Sequence, residues 1–269
     1  MKYQMSIFLS ILIFLTACQT NEVNSSNNLA YAVAWKKTAA EYRALYYQGF
    51  NIARQRVDEF VNSPINGLGK PLAIISDLDD TLILSDPYWS YLIKHDLEFF
   101  DDSVWDEWVA SDQATPSPGA LEFLNFCEEN NISVFYVTNR NQGDNTREYL
   151  VNTLNRLDFP FVDDDHLFVL QESSNKELIQ NQIKDDYEVI VMLGDNLNDF
   201  SREYYVSDIG ERYSLVENNS EKYGSDFILF PNPTDGHWIR AIFGESEPAP
   251  TIDNKMLMRE AASSSAWRD

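Results

Sequence analysis

Five short apolar runs recur along the chain: Leu72–Ile75, Ile132–Val137, Leu167–Leu170, Val189–Leu193 and Phe227–Phe230. Each is four to six residues long and bounded by polar or turn-forming residues, so each reads as a buried strand rather than a helix. Helical spacing of apolar positions fills the intervals over Gly119–Asn130 and Asn145–Leu157, and again from Lys176 onward. Strands alternating with helices predict an α/β fold, a Rossmann-like parallel sheet covered on both faces. Upstream, Trp35, Ala39, Tyr42, Tyr46, Phe50 and Ala53 suit one buried face of a helix running from about Leu29 to Val61. Gly67, Gly69 and Pro71 close it before the first strand. The alternation is interrupted between Thr81 and Pro116 by a stretch rich in aromatics, including Phe99, Phe100, Trp105 and Trp108. A long insertion after a strand end predicts a cap. A smaller helical cap is therefore expected from 29–66, 82–115 and the C-terminal segment, over a core of about 70–81 and 116–244.

The amino terminus breaks with this pattern. Lys2 is followed by an apolar run, Ile7 to Leu15, too short to span a bilayer. Leu15-Thr16-Ala17-Cys18 resembles the lipobox of bacterial lipoproteins. That resemblance implies a signal peptide over 1–17, removed when Cys18 is lipidated, and an anchor in the lipid membrane. Gln19 favours outer-membrane retention in a Gram-negative envelope. Residues 18–28, polar and Asn/Ser-rich, read as a tether to a folded domain spanning 29–269. Cys18 and Cys127 are the two cysteines. With Cys18 lipidated no disulfide is expected, and Cys127, among Leu121, Phe123, Leu124 and Phe126, reads as a core residue.

Composition narrows the function. The formal net charge is -23 over 269 residues, which repels phosphate polymers, so a nucleic acid partner is set aside. The chemistry concentrates where strands end, the place ligands take in open α/β sheets. Asp77-Leu78-Asp79-Asp80-Thr81 follows the first apolar run. Thr138-Asn139-Arg140 follows the second, Lys176 opens a helix, and Gly194-Asp195-Asn196-Leu197-Asn198-Asp199 follows the fourth. Asp77 and Asp79 lie two apart and point to the same side of an extended segment. One carboxylate can act as nucleophile and the other as general acid and base. Asp77, Asp195 and Asp199 cannot share a site with a phosphate dianion without a counter-ion, and Mg2+ suits such an oxygen set. The expected ligands are the Asp77 and Asp195 side chains and the Asp79 backbone carbonyl. Asp199 is expected to hold a metal-bound water or to orient Lys176, with Thr81 beside it. Thr138, Asn139 and Lys176 are expected to hold phosphoryl oxygens. Tyr88, Trp89 and Tyr91 are candidates for stacking on a substrate ring. Arg140 is open between phosphate binding and a salt bridge. His95 and His166 read as surface residues. A calcium loop starting at Asp77 would need Gly where Leu82 stands and Glu where Tyr88 stands, so that reading fails.

Taken in order, D-x-D-x-T, Thr138, Lys176 and G-D-x-x-x-D resemble the haloacid dehalogenase (HAD) superfamily. Ala44–Gly49, Phe135–Arg140, Gly194–Phe200 and the lipobox resemble, more narrowly, the class C bacterial acid phosphatases. The resemblance runs from the signal to at least Trp238. It implies a HAD-like fold and a Mg2+-dependent phosphomonoesterase acting on 5'-nucleotides, nicotinamide mononucleotide or aryl phosphates. By motif it makes Asp77 the nucleophile, Asp79 the acid/base, Thr138 and Lys176 the phosphate grips, Asp195 a metal ligand and Asp199 an outer partner. Thr234-Asp235-Gly236 stands where that family has a base-stacking aromatic, so base recognition stays open. The competing readings are a sugar-phosphate phosphatase, a phosphotransferase, and a ligand-binding lipoprotein on a disabled scaffold. The oligomeric state is left open, a homodimer included.

Overall fold

The computed structural model describes residues 27–63 and 69–268. The expected signal peptide, Cys18 and nearly all of the tether lie outside the described residues. A five-stranded parallel sheet forms the centre. Its strands are β1 (Leu72–Ser76), β4 (Ser133–Asn139), β5 (Leu167–Leu170), β6 (Glu188–Gly194) and β7 (Phe227–Leu229), in the order β5-β4-β1-β6-β7. β1 is central: Ile75 lies opposite Phe135 on one side and Met192 on the other. This is the α/β arrangement the sequence predicts.

Side-chain alternation along β1 divides the interior into two layers. Ile74 packs with Tyr46, Phe50 and Leu124 on one face, while Ala73 and Ile75 pack with Ile183, Phe200 and Tyr204 on the other. The first layer is covered by α2 (Ala40–Val61) and α5 (Ala120–Glu129), the second by α7 (Glu177–Asp186). Cys127 is buried in the first layer, and burial pushes its thiol well above the usual range.

The expected single helix from Leu29 to Val61 is two. α1 (Leu29–Thr38) ends where Ala39 turns extended, at φ -79° and ψ 121°. The Thr38 hydroxyl donates to the Ala34 carbonyl at 2.8 Å, a local bond that competes with the helical ladder. Lys36 of α1 is buried, its ammonium donating to Asp80 just past the end of β1. Between Thr81 and Ser117 the chain forms α3 (Asp86–Lys94) and α4 (Asp102–Ala110), flanked by β2 (Ile83–Leu84) and β3 (Thr115–Pro116). β2 and β3 pair antiparallel, tying the ends of the excursion together. Tyr88, Trp89, Phe100, Trp105 and Trp108 cluster inside it. The C-terminal part adds α8 (Ile209–Asn218), α9 (His237–Phe243) and α10 (Ile252–Ser263). α10 is held by a 3.0 Å ion pair between Lys255 and Glu98. Among the described residues no helix is long and apolar enough to cross a membrane.

Candidate active site

β1, β4 and β6 end together, and their carboxyl ends deliver the predicted chemistry to one cavity of about 350 Å3. Asp77, Asp79, Thr138, Asn139, Lys176, Asp195 and Asp199 all line it. The Asp77 amide donates to the Leu193 carbonyl of β6 at 3.0 Å, extending the ladder one residue past β1. The chain then turns: Asp80 takes a left-handed conformation at φ 52°, which short polar side chains tolerate.

Carboxylate oxygens of Asp77, Asp195 and Asp199 lie within 4.8 Å of one another. Lys176 answers part of this charge. Its Nζ donates to Asp77 Oδ1 at 2.5 Å and to Asp199 Oδ1 at 2.7 Å. The other Asp199 oxygen accepts from the Asn196 amide at 3.0 Å. Asp195 accepts from Asn232 Nδ2 at 2.7 Å and from the Thr81 hydroxyl at 3.2 Å. Burial disfavours the Lys176 ammonium, but Asp199 and Asp77 outweigh it and hold its pKa above the ordinary lysine value. Burial lifts Asp77 to about 7, with Lys176 opposing and Asp199 adding to the rise. Asp195 is raised well above its ordinary value, first by burial and then by Asp199 and Asp77. Three clustered carboxylates, two of them buried against one ammonium, form an oxygen-rich, negatively charged pocket that fits a hard divalent cation.

Asp79 is held differently. Arg140, from the end of β4, binds it through two parallel hydrogen bonds, Nε to Oδ2 at 2.7 Å and an Nη to Oδ1 at 2.5 Å. Of the two readings open for Arg140, the structure shows the salt bridge. Asp80 also lines the cavity and is engaged, accepting from Lys36 at 2.9 Å and from the Ser85 hydroxyl at 2.9 Å. Tyr46 of α2 donates to the Asp80 carbonyl at 2.5 Å, which links the Ala44–Gly49 segment to the loop after β1.

The three stacking candidates separate. Trp89 lines the cavity, whereas Tyr88 is fully buried behind it and Tyr91 is 43% exposed, with its ring against His95. Trp105 and Phe100 line the cavity from the same side, and Tyr205 and His237 from the other. Burial lowers the His237 pKa to about 4, with Arg212 and Arg202 adding to the effect. Neither Tyr205 nor His237 was singled out by a motif, and neither were Lys36 or Asn232. Each acts on a residue far from it in the chain.

The family model for HAD superfamily, subfamily IIIB acid phosphatases matches residues 15–238. The chain belongs to that family. It is therefore a phosphomonoesterase, a hydrolase of the HAD acid phosphatases. Two solved structures resemble it over most of their length. The class C acid phosphatase from Bacillus anthracis with tungstate bound aligns at a TM-score of 0.79 and 26% identity, covering 87% of this chain and 96% of that one. A second structure of the class C acid phosphatase from Bacillus anthracis aligns at 0.79 and 25%, covering 88% and 97%. For an acid phosphatase the cavity's contents have a direct meaning: an acidic cluster suited to a divalent metal lies beside a lysine and a threonine suited to phosphoryl oxygens.

Proposed function

We propose that this acid phosphatase hydrolyses small phosphate monoesters with Mg2+, through an aspartyl-phosphate on Asp77. The observation that carries the reading is the cluster of Asp77, Asp195 and Asp199, with Lys176 bound to Asp77 and Asp199 and Asp79 two residues from Asp77. Asp77, Asp195 and the Asp79 carbonyl would hold Mg2+, which when bound supplies positive charge to the phosphoryl oxygens and lets Asp77 ionise. The tungstate held by the Bacillus anthracis relative is an oxyanion of phosphate-like charge and supports an anion site here.

The residues divide the work. An Asp77 oxygen attacks phosphorus as the bond to the leaving oxygen breaks, and Asp79 gives that oxygen a proton. Water then attacks the acyl phosphate, Asp79 takes its proton, and phosphate leaves. Lys176 has three N–H donors, two of them spent on Asp77 and Asp199, so one remains for a phosphoryl oxygen. The Thr138 hydroxyl and Asn139 complete the grip. Arg140 fixes the direction in which Asp79 points. Sugar phosphates and transfer to an alcohol acceptor use the same groups. Lipidation of Cys18, outer-membrane anchoring and dimerisation are further proposals resting on the sequence. Phosphate release from 5'-nucleotides, nicotinamide mononucleotide, sugar phosphates and an aryl phosphate, with Mg2+ and with EDTA, tests the reading. Release in Mg2+ that EDTA removes is expected. Equal release in both contradicts the metal role.

A further inference from the structure

The cavity has a second chemistry that hydrolysis does not use. Trp89, Phe100 and Trp105 form one continuous aromatic wall, with Phe100 6.2 Å from Trp89 and 5.5 Å from Trp105 between ring centroids. Asp235 and Glu247 line the same cavity, and Glu247 feels the charge of Asp102 and of Asp235. The other carboxylates there are answered or engaged: Asp79 by Arg140, Asp80 by Lys36, Asp77 and Asp199 by Lys176, while Asp195 belongs to the candidate metal cluster. Among the described residues no ion pair reaches Asp235 or Glu247. Burial lifts Asp235 to about 6, so its charged form is costly until a cation faces it. The wall already lies against the protein's own cations, with Lys36 5.7 Å from the Trp89 ring and Arg140 5.8 Å from Trp105.

We infer that this side of the cavity selects phosphate monoesters whose leaving alcohol carries a quaternary ammonium group, of the choline phosphate type. The inference rests on the phosphatase reading of the same site. Aromatic rings attract a desolvated cation through their faces. Two carboxylates that no ion pair reaches complete the complement, Asp235 feeling Lys36 only at a distance. A quaternary centre has no N–H to satisfy, so rings lacking acceptors suit it better than they suit a polyhydroxylated sugar. It also brings positive charge into a pocket crowded with carboxylates. The reaction is unchanged: the P–O bond to the alcohol breaks, its oxygen takes the proton from Asp79, and water supplies the new P–O bond.

The test compares kcat/KM for choline phosphate with that for 3,3-dimethylbutyl phosphate, its uncharged isostere, in Mg2+. The expected preference for the cation is about tenfold or more. Asp235→Asn brings the ratio to within about threefold of one, and Glu247→Gln lowers it less, because Glu247 sits on the exposed rim. Both rates are read in one preparation, so a partly misfolded variant leaves the ratio intact. A wild-type ratio near one, or a ratio that Asp235→Asn leaves unchanged, overturns the inference alone. No release from any ester, an aryl phosphate included, overturns the phosphatase reading and this inference with it.

Discussion

Around Asp77 and Asp79 the charges are paired so tightly that single substitutions have definite signs. Arg140 is fully dedicated to Asp79 through two hydrogen bonds. Arg140→Ala leaves Asp79 free to rotate and is expected to lower kcat about tenfold or more, with little change in KM. Arg140→Lys recovers only part, since an ammonium cannot reproduce the fork. Steady-state kinetics on an aryl phosphate decides it, and an unchanged kcat in Arg140→Ala removes Arg140 from the account. Asp235 gives a stability signature instead. Burial raises its pKa from 3.8 to about 6, so the folded chain holds that proton more tightly than the unfolded chain. The resulting stability is full below about pH 4 and is lost as pH rises through about 6. Asp235→Asn cannot ionise. Its melting temperature relative to wild type should therefore climb between pH 4 and 7, by an amount on the order of 1 kcal/mol, or a few degrees. A pH-independent difference contradicts the buried-carboxyl assignment. That Asp77, Asp79, Asp195 and Asp199 line one cavity was legible in the sequence, because each sits at a fixed offset after an apolar run. Arg140's partner was not, because Asp79 lies on another strand end, and Lys36 reaches Asp80 only through the fold.

The elements that aim these residues were legible wherever pattern and punctuation agreed. The five strands fall where the apolar runs lie, with β1, β4 and β6 slightly longer, because Ser76, Thr138, Asn139 and Gly194 still pair with their neighbours, and β7 one residue shorter. The break at Ala39 was not legible, since neither Gly nor Pro marks it and Thr38 does the work through a side-chain hydrogen bond. Gly194 is where the end of β6 comes nearest Asp199. A Cβ there would lie 2.5 Å from the Asp199 Cβ and 2.6 Å from Oδ2. Gly194→Ala must displace Asp199 and, with it, one of the two carboxylates that hold Lys176. The expected result is a loss of kcat of about tenfold or more together with about 1–3 kcal/mol of stability. Wild-type kcat in Gly194→Ala, measured beside its thermal unfolding, contradicts this geometry. The cap is another matter of elements: its aromatics were legible as a group, but which of them reach the cavity was decided by the turns of α3 and α4 and the loop between them. Trp89 turns inward, while Tyr91, two residues on, faces outward.

At the scale of the whole molecule the net charge of -23 and the three clustered carboxylates act together. A divalent cation bound only by the folded chain stabilises it by mass action. Mg2+ should thus raise the melting temperature of wild type and leave that of Asp195→Asn nearly unmoved, as read by calorimetry. Equal shifts in both would place the cation elsewhere on the acidic surface. The central claim is that phosphate leaves by way of Asp77 with a divalent metal beside it, and phosphate release by wild type and Asp77→Asn, each in Mg2+ and in EDTA, tests it most directly. The account predicts release by wild type in Mg2+ alone, with Asp77→Asn slower by about a thousandfold or more. Comparable release by Asp77→Asn, or release that survives EDTA, would contradict it.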